Sequence, residues 1–188
     1  MSTNPPAFTA PGQLWLPSDN GYQVTNGDPL QIAGATILVA GTLYLSKIKA
    51  RAPLTLSAVR FAINAAGVGA STGSFAGLYS SAGLLLSGSA DVGAALLGTG
   101  DLNVPLSVPG QQVPAGGFAW AALLVNRATT QPTMNRYTAS ITTGANLGLA
   151  AAAFECCVNG TGLASLPASI TPASNTGAGA IAMFAGGS

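Results

Sequence analysis

The sequence predicts an all-β fold, a β-sandwich of jelly-roll-like kind with an extended Pro-rich N-terminal arm. Three observations predict it. Short apolar runs recur between Gly, Pro and Ser turns, several of them alternate residue by residue, and no segment carries a clear amphipathic helical period. No fixed-period repeat is present. The arm is expected over residues 1–40 and the sandwich domain over residues 41–188.

In the arm, Pro5, Pro6, Pro11, Pro17 and Pro29 exclude long helices and weaken any central strand. Asn20-Gly21 and Asn26-Gly27 mark turns. Leu14, Trp15, Leu16 and Tyr22 are too apolar for a solvated tail. They are the expected assembly contacts, docking the arm on its own domain or on a neighbour. Ile32–Leu38 reads as a first strand or a short helical turn.

From Gly41 the pattern turns to β. GTLYLSKIKA alternates, placing Tyr44, Ser46, Ile48 and Ala50 on one side and basic residues on the other. Lys47, Lys49 and Arg51 thus share one face, the expected polar contact face. It reads as a solvated edge or outer face that discourages stray pairing, or as a contact with an acidic neighbouring subunit. LTLSAVRFAINAA turns Val59, Phe61 and Ile63 inward and Arg60 outward, and GVGASTG is a loop. SFAGLYSSAGLLLSGSA reads as a hairpin turning at Ser80–Gly83. A turn at Gly98–Asp101 precedes LNVPLSVPG, an edge-like strand broken by Pro105 and Pro109. A turn at Ala115-Gly116-Gly117 opens FAWAALLVN, a strand buried on both faces, with Trp120 in the core. RATTQPTMNR reads as a polar loop. AAAFECCV reads as a strand or a helical turn, with the strand favoured by the Gly and Asn-Gly that follow, and Ala180–Ala185 could close a sheet.

Composition narrows the function. The 188 residues are 48% hydrophobic and only 6% charged, against about 25% charged in an average soluble domain. A free monomer needs more charge than that on its surface. Such a surface suits a chain that works in contact with other subunits. Mean hydropathy is +0.46, yet no apolar run reaches the roughly 18 residues of a spanning helix. The richest runs, Ile37–Leu45 and Ala119–Val125, are strand-length. MSTNPPAFTAPG has neither a basic start nor an apolar core, so no secretion signal and no membrane partner are expected. Net charge is +1 and the only basic cluster is Lys47, Lys49, Arg51 and Arg60, too small a footprint for nucleic acid.

Catalytic chemistry finds little to use. The chain has no histidine, which removes Ser-His-Asp, Cys-His and imidazole metal sites. The acids are Asp19, Asp28, Asp91, Asp101 and Glu155. Asp91 and Asp101 lie beside Gly in expected turns, where aspartates cap backbone amides more often than they form a glycosidase pair. No calcium-binding loop is present. GVGASTG lacks the Lys-Ser or Lys-Thr of a phosphate loop. Ser46 and Lys47 adjoin in a strand and so face opposite ways. Cys156 and Cys157 are adjacent and face opposite sides of a strand, so two free thiols are expected, at least one buried, as in a reducing cytoplasm. No enzyme activity and no cofactor are expected.

PGQLWLPSDNGYQV, GTLYLSKIKARAPLTLSAVRFAI, SFAGLYSSAGLLLSGSAD, VPAGGFAWAALLVN and SLPASITPASNT follow one another along most of the chain. In this order they resemble a family of small virion proteins of tailed phages infecting actinobacteria, often labelled minor tail, fibre-like or head-decoration proteins. The most specific piece is FAGLYSSAGLLLSGSAD. The resemblance implies a β-sandwich on the particle exterior, a homotrimer, and no catalytic residues. The expected function is therefore a non-enzymatic virion structural protein, assembled in the host cytoplasm and held by packing against itself and against capsid or tail subunits. The alternative is a receptor- or carbohydrate-binding module of a tail fibre, recognising a host cell-surface glycan through Trp15 or Tyr22.

Overall fold

The computed structural model describes residues 17–28, 31–69, 72–126, 129–137, 145–177, 181 and 183–188. The fold is all-β. Its strands are β1 (Val24–Thr25), β2 (Ile32–Ile37), β3 (Leu43–Lys49), β4 (Leu54–Leu56), β5 (Ala58–Ala65), β6 (Phe75–Ser80), β7 (Leu85–Gly88), β8 (Gly100–Pro105), β9 (Gln111–Val113), β10 (Phe118–Leu124), β11 (Thr133–Tyr137), β12 (Cys156–Val158) and β13 (Ala185–Gly187). The named helical elements are turns of three or four residues in 3-10 geometry, and among the described residues no helix is long and apolar enough to cross a membrane.

The strands form two main antiparallel sheets. One runs β1-β13-β5-β11-β2, with β8 on the other side of β5. The second runs β12-β3-β10-β6-β7, and β4 and β9 form a separate two-stranded pair. The period-2 alternation of β3 and β5 sets which side chains meet. Tyr44 and Ile48 of β3, Leu78 of β6, and Ala119, Ala121 and Leu123 of β10 share one core with Val59, Phe61 and Ile63 of β5, Leu102 and Val104 of β8, and Met134 of β11. The two sheets are therefore packed across a common apolar layer.

The five-stranded sheet is buried on its other face as well. Leu43, Leu45, Tyr79, Trp120, Ala122, Leu124 and Cys157 form a second cluster, closed by Phe154, Leu163, Leu166 and Ile170. Residues 159–176 lie across this face as a strap. Backbone bonds fasten it at both ends: Leu163 N–H donates to Gly41 C=O (2.9 Å) and Ile170 N–H to Gly83 C=O (2.8 Å). The Tyr79 hydroxyl donates to the Pro167 carbonyl (2.8 Å) between them. β10 is consequently buried on both faces, as its unbroken apolar run predicts.

The expected hairpin is present as β6–β7. Gly83 takes φ +89° at its turn, in the left-handed region open to glycine, and its N–H closes the turn on Ser80 C=O (2.9 Å). Ile32–Leu38 resolves to a strand, and the C-terminal strand is β13, beginning where the expected Ala180–Ala185 segment ends. Residues 151–158 hold both readings of AAAFECCV in succession: a 3-10 turn at Ala151–Ala153 and then β12.

Two expectations need correction or restatement. RATTQPTMNR is not loop throughout, because its second half enters β11, between β5 and β2. Met134 is the single large apolar side chain that β11 sends into the core. One apolar residue between Thr133 and Asn135 leaves too short an alternation to stand out in the sequence. The sheet also continues across the boundary expected at residue 40, since β1 and β2 both belong to it. Asn26 stitches β1 to the C terminus: its Nδ2 donates to Met183 C=O (2.7 Å) and its Oδ1 accepts Ala185 N–H (3.0 Å).

Candidate functional site

The structure brings the sequence-derived contact residues into two separate clusters. Leu14, Trp15 and Leu16 lie outside the described residues.

The first cluster surrounds Lys47. The alternation of β3 does place Lys47 and Lys49 on one face, opposite Ser46, whose hydroxyl donates to Met183 C=O (3.2 Å). The solvated face expected there holds only for part of the set. Lys47 retains 6% side-chain exposure, whereas Lys49 retains 63%. The reason is tertiary. Residues 145–158 fold back along the edge of β3, and their backbone and Glu155 enclose the Lys47 ammonium. It donates to the Ala153 carbonyl and lies 3.6 Å from Glu155 Oε1. It also sits over the rings of Phe118 (4.7 Å to the centroid) and Trp120 (5.2 Å), which meet edge to face. Burial pushes the Lys47 pKa down, against the opposing pull of Glu155. Lys49 reaches the same carboxylate oxygen at 2.8 Å, and Arg51 is exposed beyond the strand end.

An acidic partner for this face therefore exists within the chain itself. Glu155 is the only glutamate in the sequence, and nothing in its local context signals that two lysines more than a hundred positions earlier would find it. Asn146 positions it, accepting Glu155 N–H on Oδ1 (2.7 Å) and donating to Cys156 C=O (2.6 Å).

The second cluster surrounds Tyr22 on the outer face of the six-stranded sheet. The Tyr22 hydroxyl donates to Asp101 Oδ1 (3.3 Å), and Arg60 pairs with the other carboxylate oxygen at 3.2 Å. The Arg60 guanidinium stacks 4.9 Å from the Tyr22 ring centroid. Phe184 meets the same ring edge to face at 5.7 Å, and Tyr137 flanks Phe184 from the other side at 6.3 Å. Tyr22 is thus a packing residue of its own domain, with its ring and hydroxyl both engaged. Sequence spacing places none of these residues near one another.

Neither cluster forms an acid–base or nucleophilic constellation. Asp91, read in the sequence as a turn cap, accepts the amides of Gly73 (2.6 Å), Gly93 (2.8 Å) and Ser74 (3.3 Å). Burial, the largest single influence, pushes its carboxyl up, but the three amides together outweigh it and hold the group below the usual range. Cys156 and Cys157 are free and buried. Burial pushes the Cys156 thiol up to about 12 and the Cys157 thiol higher still, which suppresses the thiolate needed for nucleophilic or redox work. Among the described residues, no group of three or more His, Cys, Asp or Glu side chains could hold a metal ion. Asn159, which opens a run Asn159-Gly160-Thr161 matching a glycosylation motif, is held inside the strap, donating to Thr171 C=O (3.0 Å) and to Asn175 Oδ1 (2.7 Å).

The surface also presents single large apolar side chains. Ile37, Val39, Val68, Leu84, Leu97, Val108 and Leu147 are all more than half exposed. Compared with protein-family models, with curated proteins and with solved structures, the chain finds no match in any of the three.

Proposed function

We propose that this chain is a non-enzymatic structural protein that works by packing against copies of itself and against neighbouring subunits, on the exterior of a phage particle. Capsid decoration, head fibre and minor tail protein are the roles that fit. One observation carries the proposal: the chain has little charge, and among the described residues about half of it is paired within the chain. Lys47 and Lys49 share Glu155, Arg60 pairs with Asp101, and Asp91 is ringed by amides. The outer surface is left to small, polar and apolar side chains, a skin suited to contact with other proteins. The resemblance in sequence supplies the virion setting and the trimer, and the jelly-roll-like sandwich with a Pro-rich arm belongs to the same proposal. The two facing antiparallel sheets support it. Buried free thiols suit assembly in a reducing cytoplasm before the particle is released.

Quantitative mass spectrometry of purified virions from cells carrying the encoding genome tests the reading. The chain should be present in many copies per particle. Recovery only as a free protein of the infected cell, with none in the particles, would refute it.

A further inference from the structure

We infer that Asn159 is a self-modification site: the Gly160 nitrogen attacks its side-chain amide and turns it into a carboxylate, and the product unfastens the strap of residues 159–176 from the sheet face beneath. This goes beyond the reading above and does not depend on it.

The chain contains three Asn-Gly steps, Asn20-Gly21, Asn26-Gly27 and Asn159-Gly160. Before glycine, the next backbone nitrogen reaches the asparagine side-chain carbonyl most easily, because no side chain obstructs it. The fold treats the three steps differently. Gly21 N–H donates to Ser18 C=O (3.1 Å), so its nitrogen is held. Gly27 lies against the Tyr137 ring, and Asn26 is held by three partners: Met183 C=O, Ala185 N–H and the Tyr137 hydroxyl. Gly160 is exposed, and its N–H donates to no group among the described residues. Asn159 is held, among the described residues, through its Nδ2 alone.

The chemistry needs only water. The Gly160 nitrogen bonds to Asn159 Cγ, the Cγ–Nδ2 bond breaks, and ammonia leaves with the proton that the Gly160 nitrogen gives up. Water then opens the cyclic imide at either carbonyl, leaving aspartate or isoaspartate. Either product carries a carboxyl group that is ionised at neutral pH.

That carboxylate cannot do what the amide does. Asn159 Nδ2 donates to Thr171 C=O (3.0 Å) and to Asn175 Oδ1 (2.7 Å). Both partners are acceptors, and a carboxylate has no hydrogen to give them, so two bonds become contacts between acceptors. Asn175 can turn its amide to meet the new charge only by giving up its own bond to Ala151 C=O (3.2 Å). The strap begins at Asn159, and its regular structure is a single 3-10 turn at Pro172–Ser174. It is ordered by what it touches: Leu163, Leu166 and Ile170 close the second apolar cluster over Leu43, Leu45, Trp120 and Leu124. Loss of the Asn159 anchor shifts the strap towards opening and bares that face.

Ageing of the purified, folded full chain in mildly alkaline buffer with reductant tests the inference, read by peptide mass mapping and limited proteolysis. The peptide carrying Asn159 should gain the mass difference between O and NH about ten-fold faster than the peptide carrying Asn26, the margin that one further hydrogen bond gives. Cleavage within residues 159–176 should quicken in step with the converted fraction. Asn159→Asp, made directly, should be cleaved there about ten-fold faster than fresh wild type. Asn159→Gln sets its carbonyl carbon one bond further from the Gly160 nitrogen and should keep its mass. If Asn159→Asp fails to fold, the aged wild type, folded before the change, carries the readout. The inference is overturned if Asn159 keeps its mass in the folded chain while the same residue converts in urea. It is equally overturned if Asn26 converts first, or if the converted chain is cleaved within residues 159–176 no faster than fresh protein.

Discussion

Lys47 is a cation in a nearly dry place, and its stability depends on one carboxylate. Glu155→Gln leaves the ammonium with a carbonyl and two aromatic rings. Breaking a buried ion pair from one side costs about 3–5 kcal/mol. Because Glu155 is 27% exposed, water relieves part of this, and a loss of about 2–3 kcal/mol is expected in urea denaturation at an unchanged slope. Lys47→Met removes the charge and keeps a flexible stem against Phe118 and Trp120, so it should lie within about 1 kcal/mol of wild type. Lys49→Ala, at an exposed pair, should change stability by less than about 0.5 kcal/mol. If Lys47→Met proves as damaging as Glu155→Gln, the ammonium is contributing net stability and this account of the site is wrong. The buried acids make a pH prediction. Burial raises the Cys156 thiol from its ordinary 9.0 to about 12, and raises Cys157, Tyr79 and Tyr137 as well. Above pH 9 the unfolded chain releases thiol protons that the folded chain keeps, so stability falls as pH rises, more steeply past 10 as the tyrosines join. Lys47 opposes this: its lowered pKa makes stability rise with pH between that value and its ordinary 10.5. With Tyr22 and Tyr44 also raised by burial, six raised acids outweigh one lowered base. Replacing both cysteines by alanine should delay the alkaline decline by about one pH unit, measured by urea midpoints in the presence of reductant.

β13 shows why a strand here is written Ala-Gly-Gly. Gly186 lies under the Tyr22 ring, and a Cβ there would stand 2.5 Å from Tyr22 Cδ1 and 2.9 Å from the Val24 carbonyl. The missing side chain lets β1 and Tyr22 lie flat on the sheet. Gly186→Ala should cost about 1–3 kcal/mol through overpacking. Adding Tyr22→Ala should recover only part of that, because the backbone contact persists, with a coupling of at least about 0.5 kcal/mol in a double-mutant cycle of thermal melts. Additive effects would show that the ring does not rest on Gly186. β11 was hidden in the sequence because a strand flanked on both sides by others needs only one apolar anchor, Met134, to hold its register. The strap was hidden for a related reason. Leu163, Leu166 and Ile170 fall at a helical spacing, but Pro167 between them forbids a regular helix, and they are ordered by the sheet face that they cover.

At the scale of the molecule, charge is scarce, so the association proposed above between copies should owe little to long-range electrostatics. The mass distribution of the wild-type chain is expected to be nearly the same at low and at high salt. A marked dissociation on adding salt would point instead to ionic contacts between subunits, with the exposed Lys49 and Arg51 as the first candidates. The same scarcity predicts poor solubility for variants that expose the second apolar cluster by loosening residues 159–176.

The sequence by itself determined the all-β class, the inward faces of β3 and β5, the β6–β7 hairpin and its turn, the double burial of β10, and the poverty of charge. These follow from local periodicity, glycine placement and composition, which each residue carries with it. Only the tertiary structure decided that Lys47 is buried, that Glu155 serves both lysines, and that Tyr22 packs between Arg60 and Phe184. Those outcomes depend on which distant segments come to lie side by side, and pairing across more than a hundred residues leaves no periodic trace in the chain.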